Sequence, residues 1–186
     1  MGIVALKFND FEDVMNLFID YKLDGNEYKV LLEKGLTRDT IRKDYSSIIK
    51  KCLYDGDCFG WVENDKLQSV MLAVDATFWD DVYQSYLKTA LEVFPDCNNI
   101  DYDDISAEAY SEDTCMLVLQ IFRAPGDTVS RKREFLETLM DLYCKSGPIA
   151  MQSMSQDDTA LLRSLNFVKS GYDTDNVYLW KAEEDD

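Results

Sequence analysis

The chain reads as a single α/β domain: a mixed central sheet flanked by helices. Three observations predict this. Segments of strand and helix periodicity alternate along its length, one uninterrupted apolar run has the character of a strand covered on both faces, and no repeat, linker or low-complexity stretch marks a boundary. At 186 residues the chain suits one domain of about 100 to 200 residues, large enough to bury a sizeable core.

The elements follow in order. Residues 3–8 (IVALKF) are a compact apolar strand. Asn9 and Asp10 then cap a helix whose apolar positions Phe11, Val14, Met15, Phe18 and Ile19 recur at helical spacing. A second helix opens near Thr37, carries Ile41, Tyr45, Ile48, Ile49 and Leu53 on one face, and ends at the turn Asp55-Gly56-Asp57. Cys58–Val62 and Leu67–Val74 flank Glu63-Asn64-Asp65-Lys66, a polar loop of hairpin length.

Residues 80–94 return to helical spacing and stop before Pro95, and an acidic, turn-rich stretch follows. The region around 75–113 therefore reads as an insertion or flap. Thr114–Phe122 is β-branched and apolar without clean alternation, as befits a central strand. After Arg123-Ala124-Pro125-Gly126-Asp127, a helix from about Thr128 to Lys145 buries Phe135, Leu136, Leu139, Met140 and Tyr143.

Residues 149–154 make a short strand. Gln156–Leu165 makes a short helix, capped by Ser155 and ended by a left-handed Asn166. Strands Phe167–Gly171 and Val177–Lys181 close the chain around the turn at 173–176, before an acidic tail at 182–186. The order is β-α-α-β-β-α-β-α-β-α-β-β, within a single domain spanning residues 1–186.

Composition removes several function classes. Hydrophobic residues make up 46% and aromatics 12%, too many for a disordered polar chain, and no apolar run approaches the roughly 20 residues a membrane helix needs. The opening Met-Gly-Ile-Val-Ala-Leu-Lys-Phe lacks the basic flank and cleavage site of a secretory signal, which points to the cytoplasm. The five cysteines are scattered without a Cys-x-x-Cys spacing, so free thiols are expected. There is no histidine, which removes Ser-His and Cys-His nucleophiles and histidine-ligated zinc. A net charge of −17 opposes approach to nucleic acid or an anionic membrane and favours a basic partner.

The element order, together with the run Asp158-Thr-Ala-Leu-Leu-Arg-Ser-Leu-Asn-Phe167, resembles the GNAT superfamily of N-acetyltransferases over nearly the whole chain. In that family a short helix ends in Leu-Gly-Phe before the last hairpin, and Asn166 stands for the glycine here. The resemblance implies acetyl-CoA binding where the fourth and fifth strands splay apart, with the pyrophosphate on backbone amides at the start of the following helix.

Arg123-Ala-Pro-Gly126-Asp-Thr128 resembles the family's Arg/Gln-x-x-Gly-x-Gly/Ala loop. Counting back from Gly147 places that loop instead at Asp127–Lys132, where Ser130, Arg131, Lys132 and Arg133 offer a hydroxyl and three cations. Both registers stand, so the implied cofactor contacts are Leu119, Ile121, Arg123, Gly126, Thr128, Val129, Ser130, Arg131 and Lys132. The family's acid is a tyrosine on the last helix, where this chain has Leu162. Tyr172 on the closing hairpin is the substitute acid, with Tyr178 beside it, and Glu108 is the candidate base, with Glu63 as the other nearby carboxylate.

Two functions compete. One is acetyl transfer from acetyl-CoA to the amine of a cationic small molecule or of a lysine-bearing protein. The other is a catalytically degenerate GNAT-fold interaction or structural protein, such as a viral one, whose acidic surface binds a basic partner.

Overall fold

The computed structural model describes residues 2–24, 35, 37–75, 116–143, 148–169 and 177–180. Seven strands form one sheet in the order β1-β2-β3-β4-β5-β7-β6. They are β1 Gly2–Leu6, β2 Cys58–Glu63, β3 Lys66–Asp75, β4 Met116–Arg123, β5 Ile149–Gln152, β6 Val168–Lys169 and β7 Val177–Trp180. Every neighbouring pair is antiparallel except β4 and β5, which run parallel. Four helices lie among the described residues: α1 Phe11–Asp24, preceded by a 3-10 turn at Phe8–Asp10; α2 Arg38–Asp55; α3 Lys132–Tyr143; and α4 Gln156–Ser164. This is the mixed sheet flanked by helices that the sequence predicts. The expected helix at 80–94, most of the segment 75–113 and the tail at 182–186 lie outside the described residues.

Local chemistry explains the boundaries. Ahead of α1, the Asp10 carboxylate accepts from the Lys7 amide at 2.7 Å. That ends β1 at Leu6 rather than Phe8. Thr37 and Thr40 form a reciprocal cap at the start of α2, Thr37 Oγ1 accepting from the Thr40 amide at 3.2 Å and Thr40 Oγ1 accepting from the Thr37 amide at 2.7 Å. At the other end of α2, the Gly56 amide donates to the Cys52 carbonyl at 2.8 Å. A Cβ at Gly56 would lie 2.0 Å from the Ala73 carbonyl oxygen and 2.6 Å from that of Cys52, so only glycine fits between helix and sheet. In the β2–β3 hairpin, Glu63 pairs with Lys66, and Asn64 (φ 51°) with Asp65 (φ 58°) forms a turn of the left-handed kind that short hairpins favour.

The helices sort onto the two faces of the sheet. Phe18, Ile19, Ile41, Ile49 and Leu53 of α1 and α2 pack with Val70, Leu72, Val74 and Phe122. Phe135, Leu136, Leu139 and Leu162 of α3 and α4 pack on the opposite face with Phe59, Met71, Met116, Ile149 and Tyr178. Successive residues of β3 thus feed opposite cores, which is why the central strands read as unbroken apolar runs. At the foot of the sheet Tyr143, near the end of α3, donates to the Asp57 carboxylate beside β2.

The helix expected from Thr128 begins at Lys132. Its first main-chain bond runs from the Phe135 amide to the Arg131 carbonyl at 3.1 Å. The delay has a physical cause: Asp127 Oδ1 accepts from the Val129 amide at 2.9 Å, and the adjacent β-branched Thr128 and Val129 favour extended backbone. The strand expected over 149–154 stops at Gln152, because Ser153 Oγ donates to the Ser155 carbonyl at 2.9 Å and turns the chain into α4. Ser155 Oγ caps α4 by accepting from the Asp158 amide at 3.1 Å, and Asn166 follows it at φ 63°.

Candidate functional site

The parallel pair at the centre of the sheet is short. Met116, Leu117 and Val118 of β4 lie opposite Ile149, Ala150 and Met151 of β5, and there the pairing stops. β4 continues to Arg123 along β3, while β5 ends at Gln152 and turns into α4. The two strands part, and a cleft of about 480 Å³ occupies the gap.

Four groups of residues line it: Ile121, Phe122 and Arg123 at the end of β4; Ser130, Arg131 and Lys132 where α3 begins; Ser155, Asp157, Asp158 and Leu161 of α4; and Tyr21 of α1 with Ser69 of β3. Tyr21 and Phe122 belong to the α1–α2 side of the sheet and Ile121 to the α3–α4 side, so the cleft reaches both faces.

The loop ahead of α3 holds its own backbone. The Asp127 amide donates to the Ala124 carbonyl at 3.1 Å around Pro125-Gly126, and Gly126 has φ 81°, the conformation of a type II turn. The Arg123–Thr128 register is therefore a strand-end turn whose Asp127 amide is already taken by the Ala124 carbonyl, and in the Asp127–Lys132 register the Val129 amide is taken by the Asp127 carboxylate. The Asp127–Lys132 register abuts the helix. There the amides of Lys132, Arg133 and Glu134 precede the first helical bond, have no intrahelical acceptor, and share the positive end of the helix dipole.

The cations at this helix start have different commitments. Lys132 donates its ammonium to Asp158, a carboxylate only 4% exposed that also accepts from the Met154 amide at 3.3 Å. Arg133 turns to α4, donating to Ser164 Oγ at 2.6 Å and to Glu137 at 3.3 Å. Arg131 lies over the Trp61 ring at 4.5 Å, and its buried Nε has no hydrogen-bond partner among the described residues; the same holds for Trp61 Nε1. Of these three cations, Arg131 keeps donor capacity for an anion in the cleft, and Arg123 lines the cleft as well.

Of the residues singled out in the sequence, the structure brings Ile121, Arg123, Ser130, Arg131 and Lys132 to the cleft wall. Leu119 is partly buried against the core and does not line the cleft, and Gly126, Thr128 and Val129 lie in the loop before α3. Tyr172 and Glu108 lie outside the described residues. Tyr178 is buried in the core and Glu63 sits at the hairpin turn opposite Lys66. Leu162 is 0% exposed and packs against the sheet, whereas its neighbour Leu161 faces the cleft.

Sequence reasoning missed Tyr21, Ser69, Phe122, Ser155, Asp157, Asp158 and Leu161 as cleft residues. The acidic first turn of α4 was legible as a capping signal, and Tyr21 shares a helical face with Phe18. Ser69 carries no sequence signal for this role.

A mixed sheet whose central parallel strands part beside a helix start is the GNAT fold, and this chain has it. The solved histone acetyltransferase HPA2 and related acetyltransferase from Corynebacterium glutamicum superposes with a TM-score of 0.62 at 11% identity, covering 100% of this chain and 97% of that one. A GNAT-family acetyltransferase from Bacillus cereus does so at 0.53 and 11%, with 98% of each chain covered. The polyamine N-acetyltransferase of Drosophila melanogaster gives 0.51 and 12%, covering 97% of this chain and 100% of that one. At such identities the likeness is one of fold. No family model matches the sequence, and no curated protein does. Among the described residues no helix is long and apolar enough to cross a membrane.

Proposed function

We propose that this chain is an N-acyltransferase that moves an acetyl group from acetyl-CoA to an amine. The observation that carries the reading is the parting of β4 and β5 after Val118, with the start of α3 lining the gap. When bound, acetyl-CoA supplies an acyl group activated as a thioester. The chain's own contribution is placement. The Lys132, Arg133 and Glu134 amides and the Arg131 guanidinium favour a pyrophosphate at the helix start, Ser130 adds a hydroxyl, and Ile121 and Leu161 give the cleft apolar wall. Holding an amine beside an activated acyl group provides most of what this reaction needs from a protein, namely proximity and a route for the amine's proton. The net charge of −17 favours a cationic acceptor, such as a polyamine or a lysine-bearing protein.

Calorimetry and thermal melting with acetyl-CoA test this reading. A bound donor raises the unfolding midpoint, and Arg131→Ala weakens binding about tenfold. No heat and no shift at millimolar acetyl-CoA would overturn it.

A second reading, a GNAT-fold interaction protein without catalysis, is favoured by the burial of Leu162 where the family has its acid and by the use of the Val129 amide by Asp127. A stable basic partner in pull-down, with no acetyl transfer to a panel of amines, distinguishes it from the first.

A further inference from the structure

One ion pair crosses the cleft. Lys132, where α3 begins, and Asp158, in the first turn of α4, both line it, and the lysine ammonium donates to the carboxylate from the opposite wall. The partners are unequally buried: the Asp158 side chain is 5% exposed and that of Lys132 32%. In the Arg38–Asp20, Arg42–Glu12, Lys51–Asp55 and Arg133–Glu137 pairs the carboxylate is 22–67% exposed, so water can replace the cation there. At Asp158 it cannot. Apart from Lys132, the carboxylate accepts only from the Met154 amide, at 3.3 Å, among the described residues. A charge so far from water needs a cation beside it, and any ammonium that fits meets that need. Asp157, exposed on the same wall and without an ion pair among the described residues, favours the approach of one.

We infer that Asp158 is a binding site for the ammonium group of a ligand, and that the Lys132 ammonium it displaces turns to an anion at the start of α3. The identities of the two ligands rest on the acyl-transfer reading, in which the ammonium belongs to the acceptor, an alkylamine protonated at neutral pH, and the anion is the pyrophosphate of the donor. Lys132 is suited to the exchange. Its side chain is one-third exposed on a flexible four-carbon stem, and it springs from the same turn as the Lys132, Arg133 and Glu134 amides that favour an anion. The exchange couples two bindings. An anion that draws Lys132 away by itself strands a buried carboxylate, whereas one that does so with an alkylamine present leaves both charges paired. Each ligand therefore strengthens the other by the same factor.

The test titrates inorganic pyrophosphate calorimetrically into the wild type with and without n-butylamine, at an ionic strength matched with sodium chloride, and with 1-butanol as the neutral control. Butylamine tightens pyrophosphate binding about fivefold, and pyrophosphate tightens butylamine binding by the same factor. Butanol does neither. In the double variant Lys132→Met/Asp158→Leu, whose cleft strands no charge, pyrophosphate binds equally with and without butylamine; its melting midpoint confirms folding before titration. Asp158→Asn likewise loses the coupling while keeping Lys132 for the anion. Equal pyrophosphate affinity with and without butylamine in the wild type, coupling that survives in the double variant, or no pyrophosphate binding under either condition would overturn the inference. Omitting acetyl-CoA separates the two claims. Coupling in a protein that binds no acetyl-CoA would remove the transferase reading while leaving the ammonium site standing, and acetyl-CoA binding without coupling would remove only the site.

Discussion

Lys132, the first residue of α3, clasps Asp158 in the first turn of α4, so the two helices that follow the parting strands are tied together at the cleft. The carboxylate is buried while the lysine side chain remains about one-third exposed (5% and 32%), an arrangement in which the acid depends on the base more than the reverse.

Lys132→Met should therefore destabilise the fold by about 2 kcal/mol, the cost of breaking a buried pair discounted for the lysine's exposure. Adding Asp158→Leu should recover much of that loss, since the stranded carboxylate is then removed. Urea unfolding of both single variants and the double variant reads the coupling directly. Additive losses would show that the pair contributes nothing as a pair.

Gly56→Ala should cost about 3 kcal/mol, because the new methyl would sit 2.0 Å from a backbone oxygen of β3 with no flexible neighbour to yield. By contrast Gly60→Ala meets only the side chains of Leu67 and Leu6, which can rotate, and should cost less. Chemical denaturation of the two variants side by side checks the ranking.

Leu162→Tyr should place no proton donor in the cleft. The position is fully buried against the sheet, so the larger ring overpacks the core by about 1 to 3 kcal/mol and adds no proton donor to the cleft. A lowered unfolding midpoint without any gain in acetyl transfer is the expected result.

Burial pushes the Cys58 thiol up to about 12 and raises that of Cys52 as well. The unfolded chain loses these protons first, near the ordinary value of about 8.5, so stability present below that pH falls as pH rises towards 12. The slope contributed by Cys58 is on the order of 1.4 kcal/mol per pH unit once pH exceeds about 9. Unfolding free energies measured from pH 8 to 11 should fall more steeply for wild type than for Cys58→Ala.

Desolvation likewise raises the buried Asp44 carboxyl, whose Oδ1 lacks a partner among the described residues. Its contribution runs the same way: it is present in acid, where the group is neutral, and lost as pH rises through the raised value. Asp44→Asn should accordingly raise the melting midpoint at pH 7, with the advantage shrinking below pH 4.

What the sequence made legible was whatever neighbouring residues decide between themselves. Glu63 to Lys66 announces a hairpin, Ser155 a helix start, Asn166 its end, and the unbroken run ending at Phe122 a central strand. The site depended on residues far apart in the chain. Nothing local links Lys132 to Asp158 or Tyr21 to Phe122, and the start of α3 moved because a side chain, Asp127, captured an amide that a helical pattern leaves unassigned. Likewise the choice between Leu161 and Leu162 as the cleft-facing residue is a matter of helix rotation, which only the packed core settles.

Among the described residues, three residue pairs form the hydrogen-bonded ladder that joins the four-stranded part of the sheet, β1 to β4, to the three-stranded part made by β5, β7 and β6. The molecule is in this sense two plates sharing a narrow seam, with α3 laid across it as a splint. Amide exchange at Met116–Val118 should report on the seam itself, and any molecule that bridges the plates should slow exchange on both sides together.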